Sequence, residues 1–274
     1  MIRAGMVGVM HLYGARQANS ARCGMVGIMP ESVISIPVWD HTDKQHQFTR
    51  NIVNQILGST LGDFLLVVTD NASPHHETKR FLDSVSHPRL KVVRYDQNEG
   101  VSRGYNTGFH IGYALGAQYF VAMNNDIIVN APDWLERLIA PIRENKKLIV
   151  GPRRIANNLN VDRDGYRFDY LEGFMMGFHR EFLDIAGVFD EQFSPAYCED
   201  CEICWRGIEL GFFLREVDVP VDHVYGQTGY ISVPDTERIM TTLSNVQKLH
   251  RKVATHNVSR VWYEGNLFEQ IPRN

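Results

Sequence analysis

Four short apolar runs alternate with helical patterns in the first half of the chain, and this alternation limits the possible folds more than any other feature. The runs have the length of buried strands and cover Val33–Trp39, Phe64–Val68, Leu90–Tyr95 and Tyr119–Met123. Between them, apolar residues recur at the three- and four-residue spacing of an amphipathic helix. We therefore predict βαβ units and an α/β fold with a mostly parallel central sheet that is flanked by helices.

Composition and charge indicate a globular, core-forming protein. Of the 274 residues, 44% are hydrophobic and 22% are charged, which is ordinary for such proteins. The formal net charge of -4 offers no basic surface, so we expect no nucleic-acid partner. No apolar run reaches the ~20 residues of a membrane span, and the start of the chain lacks a secretory apolar segment. Because the cysteines also lack the spread of a disulfide framework, we expect a cytoplasmic protein.

Changes in pattern divide the chain into three parts. Residues 1–31 carry no clear periodicity and are interpreted as an N-terminal extension. Residues 32–230 are interpreted as one domain, without an internal repeat or a low-complexity linker. Residues 231–274 form a helical tail with basic residues. We expect its amphipathic helix to dock on the domain; peripheral contact with the inner face of a membrane is the alternative.

The fourth apolar run ends abruptly in two amides and a carboxylate, Asn124-Asn125-Asp126. In an open α/β sheet, ligands bind at the carboxyl ends of the strands. Asn124 and Asp126 are two residues apart, so their side chains point the same way in an extended segment. Such a pair could share a hard divalent cation with a substrate phosphate. The alternative is an ordinary Asn/Asp turn after a strand.

Two regularly spaced sets of small residues have structural explanations. Gly104, Gly108 and Gly112 recur every fourth position and predict a thin helix face that packs closely against another element. Cys198, Cys201 and Cys204 recur every third position, which places the first and the last ~120° apart around a helix. That spread favours packing over a zinc or iron–sulfur site, both of which need four ligands.

The order of the polar motifs resembles that of family 2, GT-A fold glycosyltransferases, especially their rhamnosyltransferase-like branch. The matching pieces are Ser35-Ile36-Pro37, Asp70-Asn71-Ala72-Ser73, Asn98-x-Gly100 with Arg103, Asn106 and Gly108, Asn124-Asn125-Asp126, Gly187-x-Phe189-Asp190-Glu191, Tyr197-x-Glu199-Asp200 with Arg206 and Gly211, and His223. The resemblance covers about Val33 to Gly229. It implies a Rossmann-like sheet with the nucleotide-sugar side in residues 32–130 and the acceptor side in residues 131–230.

Under this resemblance, the first half of the domain binds a nucleotide-diphospho-sugar donor. The residues implied to contact it are Pro37, Trp39, Asp70, Arg103, Asn124 and Asn125. Asp70 would hydrogen-bond the base, which is compatible with a UDP-sugar or a dTDP-sugar. Two alternatives stay open from the residues themselves: Asp70 as a cap or turn residue and Arg103 as an exposed helix charge.

The resemblance also implies a divalent cation, Mn²⁺ or Mg²⁺, held by Asp126 and His223. The Asp-x-Asp that is usual in the family is here Asn124-x-Asp126. The motif therefore carries one formal charge, and we expect metal binding to depend on the donor's own phosphates. Imidazole suits Mn²⁺ better than Mg²⁺. A structural histidine is the alternative for His223.

For catalysis, the resemblance implies Asp200 as general base, with Glu199 as its neighbour, in a single displacement that inverts the anomeric centre. Stabilisation by a helix dipole is the structural alternative for both carboxylates. The acceptor would be a glycan, a lipid-linked molecule or a protein. A nucleotidyltransferase is disfavoured because Trp39-Asp40-His41-Thr42 stands where that class has a Gly-rich phosphate loop. A nucleotide-sugar-binding module with weak or no catalysis is the remaining alternative.

Overall fold

The computed structural model describes residues 29–160, 167–224, 233–258 and 260–261, and of 156–160 and 167 the backbone alone. The strands are β1 (Ser32–Val38), β2 (Phe64–Asp70), β3 (Leu90–Arg94), β4 (Tyr119–Met123), β5 (Ile127–Val129), β6 (Leu148–Gly151), β7 (Arg154–Asn160), β8 (Arg167–Leu171), β9 (Met175–His179), β10 (Phe213–Glu216) and β11 (Val221–His223). The helices are α1 (Asp43–Ser59), α2 (His76–Ser84), α3 (Val101–Ala114), α4 (Trp134–Glu144), α5 (Arg180–Ala186), α6 (Glu199–Glu209) and α7 (Asp235–Ala254).

A seven-stranded sheet runs through the described part of the chain in the order β10-β6-β9-β4-β1-β2-β3. Strand β1 pairs in parallel with β2 and β4, β2 pairs in parallel with β3, and β6 with β10. Strand β9 lies antiparallel between β4 and β6. The predicted α/β fold with a mostly parallel sheet is confirmed, and β9 joins the two halves of the domain into one sheet.

Alternate residues of the central strands bury their side chains on opposite faces of the sheet. On one face, Ile34 belongs to a buried apolar cluster that includes Ile52 of α1 and Leu138 of α4. On the other face, Val33 belongs to a cluster with Phe109 of α3. Because both faces are covered, the polar ends of the strands, rather than their faces, are left to meet a ligand.

The glycine face of α3 packs directly on β1, as the sequence predicts. A Cβ atom on Gly108 would lie 2.2 Å from Ser35 Oγ, and one on Gly112 would lie 2.5 Å from Val33 Cγ1. Ser35 Oγ also donates a hydrogen bond to the carbonyl of Tyr105 at 3.0 Å. The absent side chains therefore let α3 approach β1 closely, which places the start of α3 beside the carboxyl end of the sheet.

Two short antiparallel pairs flank the main sheet. Strands β5 and β11 pair with His223 opposite Ile127, and this register brings His223 next to Asp126. Strands β7 and β8 form a hairpin from Arg154 to Leu171, whose connecting residues 161–166 lie outside the described part. The hairpin lies between β6 and β9 in the chain.

The C-terminal helix α7 docks on the domain, as expected from its apolar face. Leu249 and Val253 are buried in an apolar cluster with Trp205 of α6. Lys252 Nζ donates to carboxylates of Asp190 at 2.6 Å and Glu202 at 2.7 Å. Residues 1–28, most of the predicted extension, lie outside the described part, as do 262–274. None of the described helices combines the length and apolar character needed to cross a membrane.

Candidate active site

A cavity of about 370 Å³ opens at the carboxyl ends of the central strands. The segments that follow β1 and β4 form one wall with Pro37, Trp39 and Asn124, and the start of α6 contributes Asp200. This is the edge at which parallel α/β sheets bind ligands. Of the predicted donor, metal and catalytic residues, two lie outside the residues that line it: Asp70 and Arg103.

Asp70 is the last residue of β2, and its carboxylate accepts hydrogen bonds from other residues of the protein. One oxygen accepts the backbone N–H of Ser73 at 2.9 Å, and the other accepts Arg94 Nε–H at 2.8 Å. The bond from Ser73 is the contact expected if Asp70 is a turn residue. The next residue, Asn71, does line the cavity. Its side chain is held by a hydrogen bond from Nδ2 to the carbonyl of Gly100 at 3.1 Å.

Arg103 lies on the first turn of α3. Its Nη1 donates to Glu99 Oε2 at 2.9 Å, and its guanidinium carbon lies 5.5 Å from the centre of the Tyr95 ring. These contacts hold the guanidinium beside α3. A contact with the base or the diphosphate would require this side chain to turn away from Glu99.

Asn125 lines the cavity while its amide is anchored beneath it. The Nδ2 atom donates to Thr49 Oγ1 at 2.9 Å and to Asp40 Oδ1 at 3.2 Å. Asp40 is fully buried and also accepts the hydroxyl of Thr78 at 2.9 Å. Burial raises the pKa of Asp40 to about 6. This buried group ties the end of β4 to the segment after β1.

Asp126 and His223 are brought together by the β5–β11 pairing. His223 Nε2 lies 3.4 Å from Asp126 Oδ1, and both residues line the cavity. The imidazole stacks on Phe174 with ring centres 4.4 Å apart. Such ligands lie about 2.0–2.2 Å from a bound transition metal, so the two atoms are close enough to share one ion. Within the described ranges, no group of three or more His, Cys, Asp or Glu side chains forms a metal site.

Asp200 sits in the first turn of α6 with its carboxylate held by two backbone donors. The N–H of Cys201 donates to Oδ1 at 2.8 Å, and the N–H of Gly173 donates to Oδ2 at 3.0 Å. Burial raises the pKa of Asp200, against these two hydrogen bonds. Burial, followed by the charge of Asp200, raises the pKa of Glu199 well above its usual range. Burial thus acts on both carboxylates of this pair, while the two N–H donors favour the ionised form of Asp200.

The sequence profile of glycosyl transferase family 2 matches residues 34–195, more than half of the chain. The chain belongs to glycosyl transferase family 2. The match begins in β1 and ends just before the carboxylates that start α6, so it includes the residues at the ends of β1, β2 and β4. The predicted family is therefore confirmed, while the rhamnosyltransferase-like branch stays a prediction.

Two curated relatives resemble this glycosyltransferase at low identity. One is an uncharacterized protein y4gI of Sinorhizobium fredii (strain NBRC 101917 / NGR234), 22% identical over 85% of this chain and 29% of its own length. The other is polypeptide N-acetylgalactosaminyltransferase 4 of Caenorhabditis elegans, 28% identical over 55% of this chain and 24% of its own length. The chain thus spans less than a third of either relative.

Solved glycosyltransferases share the fold. A mannosyltransferase from Pyrobaculum calidifontis, in complex with GDP-Man and Mn²⁺, superposes with a TM-score of 0.57 at 17% identity over 88% of this chain and 68% of its own. GalNAc-T7 with UDP, GalNAc and Mn²⁺ gives a TM-score of 0.55 at 17% identity over 88% of this chain and 53% of its own. The expected GT-A fold is confirmed by these similarities.

Several residues of the glycosyltransferase cavity escape sequence reasoning. Tyr105 lies beneath the cavity and donates its hydroxyl to Asn124 Oδ1 at 2.5 Å. Glu172 lines the cavity, and burial raises its pKa. Gly173 supplies a backbone donor to Asp200. The sequence signal for Gly173 is its place between two apolar runs, but only the antiparallel β9 brings that segment to the site.

The remaining matched motifs of the family hold α6 in place. Asn106 of α3 donates Nδ2–H to the carbonyl of Phe189 at 2.9 Å and accepts its N–H at 3.0 Å. Arg206 is fully buried, and its guanidinium donates to the carbonyl of Val188 at 2.8 Å. Together these bonds attach the loop before α6 to both α3 and α6. These motif residues thus position the helix that carries Asp200.

The cysteines of α6 pack in the core. Cys198 and Cys201 belong to the apolar cluster around Trp205, and Cys204 belongs to the cluster beside the sheet. The Cys204 thiol accepts the N–H of Leu171 at 3.3 Å, and burial raises its pKa. Buried thiols with raised pKa values are poor nucleophiles, which agrees with the predicted packing role.

Proposed function

We propose that this glycosyltransferase moves a sugar from a nucleotide-diphospho-sugar to a hydroxyl acceptor with inversion, using Asp200 as general base. The observation that supports this proposal most is the set of residues that line one cavity. It contains a carboxylate–imidazole pair suited to a cation and a diphosphate, Asp126 and His223, and a desolvated carboxylate held for proton transfer, Asp200.

The donor wall offers a flat, apolar place for a nucleotide base. Pro37, Trp39 and Val101 line this side of the cavity with the amides of Asn71 and Asn98. Apolar walls with a few polar groups are typical of small-molecule sites. The two solved neighbours are complexes with GDP-Man and with UDP by name, and we propose a UDP- or dTDP-sugar for this chain. Asp70 would act by shaping the turn before the base pocket.

A divalent cation fits the donor set of Asp126 and His223, with Mn²⁺ favoured by the imidazole. When bound, it would supply Lewis-acid stabilisation of the departing diphosphate. The motif itself supplies one carboxylate, because Asn124 replaces the first acidic residue of the usual motif. The chain's own ligands therefore leave room for phosphate oxygens, and the affinity for metal should rise when the nucleotide is present.

Proton transfer follows from the environment of Asp200. A base must be ionised at the working pH and must gain a proton readily as the acceptor hydroxyl attacks. Two backbone N–H donors stabilise the anion, and burial raises its pKa. Glu199 keeps its proton because a second buried charge beside Asp200 is unfavourable. The Asp200 carboxylate then accepts the hydroxyl proton.

The acceptor side of the cavity combines aromatic, acidic and basic residues. Tyr170 lines it from β8, Glu172 lines it from the segment that connects β8 to β9, and Arg238 and Thr241 line it from α7. Aromatic rings with adjacent polar groups are suited to sugar rings, so a glycan acceptor is favoured. A lipid-linked molecule or a protein that carries a hydroxyl would occupy the same side. In all three cases α7 would contribute to acceptor selection.

The deciding experiment is a panel of nucleotide sugars assayed for hydrolysis and for binding, with and without Mn²⁺. Binding only to the folded chain raises its melting temperature by mass action. We expect one donor to show metal-dependent binding and slow turnover to free sugar. Tight binding without any turnover, even with candidate acceptors, would indicate the nucleotide-sugar-binding module instead.

The metal assignment has its own variant. Asp126→Ala removes the single charged ligand of the motif, and we expect the Mn²⁺-dependent part of nucleotide binding to be lost in calorimetric titration. Asp222→Ala is the matched control, since Asp222 lies beside His223 but bonds Asn130 at 2.9 Å on the surface. Unchanged Mn²⁺-dependent binding by the Asp126 variant would refute the assignment.

A further inference from the structure

Tyr105 is a buried tyrosine whose ring and hydroxyl have separate surroundings. It lies on α3 and is 1% exposed. Its ring packs against Phe189, with ring centres 5.1 Å apart. A phenylalanine would make the same apolar contact, so packing alone does not account for the hydroxyl. A buried hydroxyl needs partners, and both partners of this one belong to the cavity.

The hydroxyl lies between two segments of the cavity lining, one with Asn124 and one with Gly173. It lies 2.5 Å from Asn124 Oδ1 and 3.2 Å from the carbonyl oxygen of Gly173. The N–H of the same Gly173 donates to Asp200 Oδ2 at 3.0 Å. One phenol therefore contacts the motif at the end of β4 and the residue that holds the carboxylate of Asp200.

This contact also decides which group Asn124 offers to a ligand. Because Oδ1 is engaged by Tyr105, the amide is left with its N–H donors for a ligand oxygen. A phosphate oxygen of the donor is such an acceptor. Across the cavity, a Cβ on Gly173 would lie 3.0 Å from the Cβ of Asp200, so this backbone is in close contact with the catalytic residue.

We propose that Tyr105 is a positioning residue, which orients Asn124 toward the donor and Gly173 toward Asp200 through a single hydroxyl. The proposal rests on the proposed glycosyl transfer for its catalytic consequence, but the contacts themselves do not. Burial, and then the charges of Glu199, Asp126 and Asp200, raise the pKa of Tyr105 well above its usual range. The hydroxyl therefore stays protonated and able to donate.

The kinetic test is Tyr105→Phe, which keeps the ring and removes only the oxygen. We expect kcat to fall at least about tenfold, the effect of losing roughly one hydrogen bond in the transition state. The dissociation constant of the nucleotide should rise by a smaller factor than kcat falls, because the base pocket is untouched and only the contact of Asn124 with the phosphates is disturbed. A purely structural hydroxyl would lower the melting temperature and leave kcat unchanged, and that outcome would overturn the proposal.

Tyr113→Phe is the matched control on the same helix. Its hydroxyl donates to Asp184 Oδ1 at 2.6 Å, away from the cavity. We expect its kcat to equal that of the wild type. An equal loss of kcat in both variants would mean that any hydroxyl lost from α3 disturbs the fold, which would also overturn the proposal.

A second measurement decides the contact without any activity. Urea unfolding of Tyr105→Phe, Asn124→Ala and the double variant forms a double-mutant cycle. We expect the shift in the unfolding midpoint of the double variant to be smaller than the sum of the single shifts. Additive shifts would overturn the contact. A wild-type chain that turns over no nucleotide sugar would refute the proposed function, and this cycle would still decide the role of Tyr105.

Discussion

Helix α6 carries two sets of carboxylates about one turn apart, Glu202 and the pair Glu199 and Asp200. The first set has cationic partners and the second has none in the described ranges. Glu202 is fully buried and accepts from Arg206 Nη2 at 2.9 Å and Lys252 Nζ at 2.7 Å. Glu199 and Asp200 line the cavity, and in the described ranges neither forms an ion pair with Lys, Arg or His. Burial raises the pKa of both.

The two sets differ in how their charge is compensated, and we propose a structural role for Glu202 and a functional role for Asp200. A buried charge is costly unless a cation or several hydrogen bonds compensate for it. Glu202 is compensated permanently and holds α7 against α6. Asp200 is compensated by hydrogen bonds from Gly173 and Cys201 and forms no ion pair in the described ranges, which leaves its carboxylate able to accept a proton. Carboxylates with raised pKa values in a cavity are candidates for catalysis for this reason.

The largest expected effect comes from removing the base. Asp200→Asn should lower kcat by roughly 10³-fold, within the range of general-base catalysis, while nucleotide binding stays unchanged in calorimetry. Glu199→Gln is the neighbouring control, since an amide is isosteric with a protonated carboxyl, and we expect it to lose less than about tenfold. Equal losses in both variants would erase the distinction between the two carboxylates.

The next effect tests the structural set. Lys252→Met leaves Glu202 and Asp190 with one cation fewer, and we expect the free energy of unfolding to fall by about 3 kcal/mol in urea titration. Lys79→Met is the matched control, because Lys79 pairs with Asp83 at 3.5 Å on the surface, where such pairs contribute less than about 1 kcal/mol. A Lys252 variant as stable as the control would contradict the buried pairing.

The smallest effect is the position of the acid limb of the pH profile. Transfer requires ionised Asp200, so kcat should be constant above the folded pKa and fall as the pH drops through it. Because burial raises that pKa, the fall should begin above the ~3.9 of an ordinary aspartate. The measurement is kcat at saturating donor across the pH range of stability. A profile that stays flat down to pH ~4 would exclude Asp200 as the titrating base.

Local sequence patterns predicted most of the fold because the spacing of apolar and small residues depends on the geometry of each strand or helix. The four apolar runs correspond to β1 to β4, and the glycines of α3 form its contact with β1. The strand-end motif Asn124-Asn125-Asp126 was predicted at a ligand edge and lies in the cavity wall. The resemblance implied Asp70 and Arg103 as donor-binding residues, which stays a prediction; in the structure they pair with Arg94 and Glu99. Their partners lie on β3 and in the loop before α3, and the motifs in the sequence do not predict these partners.

By itself, the sequence determined the α/β class, the strand ends where ligands bind and the carboxylates that start α6. Each of these depends on periodicity or on residues adjacent in the chain. Only the tertiary structure decided that His223 meets Asp126, that Tyr105 bridges Asn124 and Gly173, and that Lys252 neutralises Glu202. These contacts join residues 19 to 97 positions apart through strand register and helix packing. Such pairings are selected by the summed burial of the whole core, which no single segment of the chain encodes.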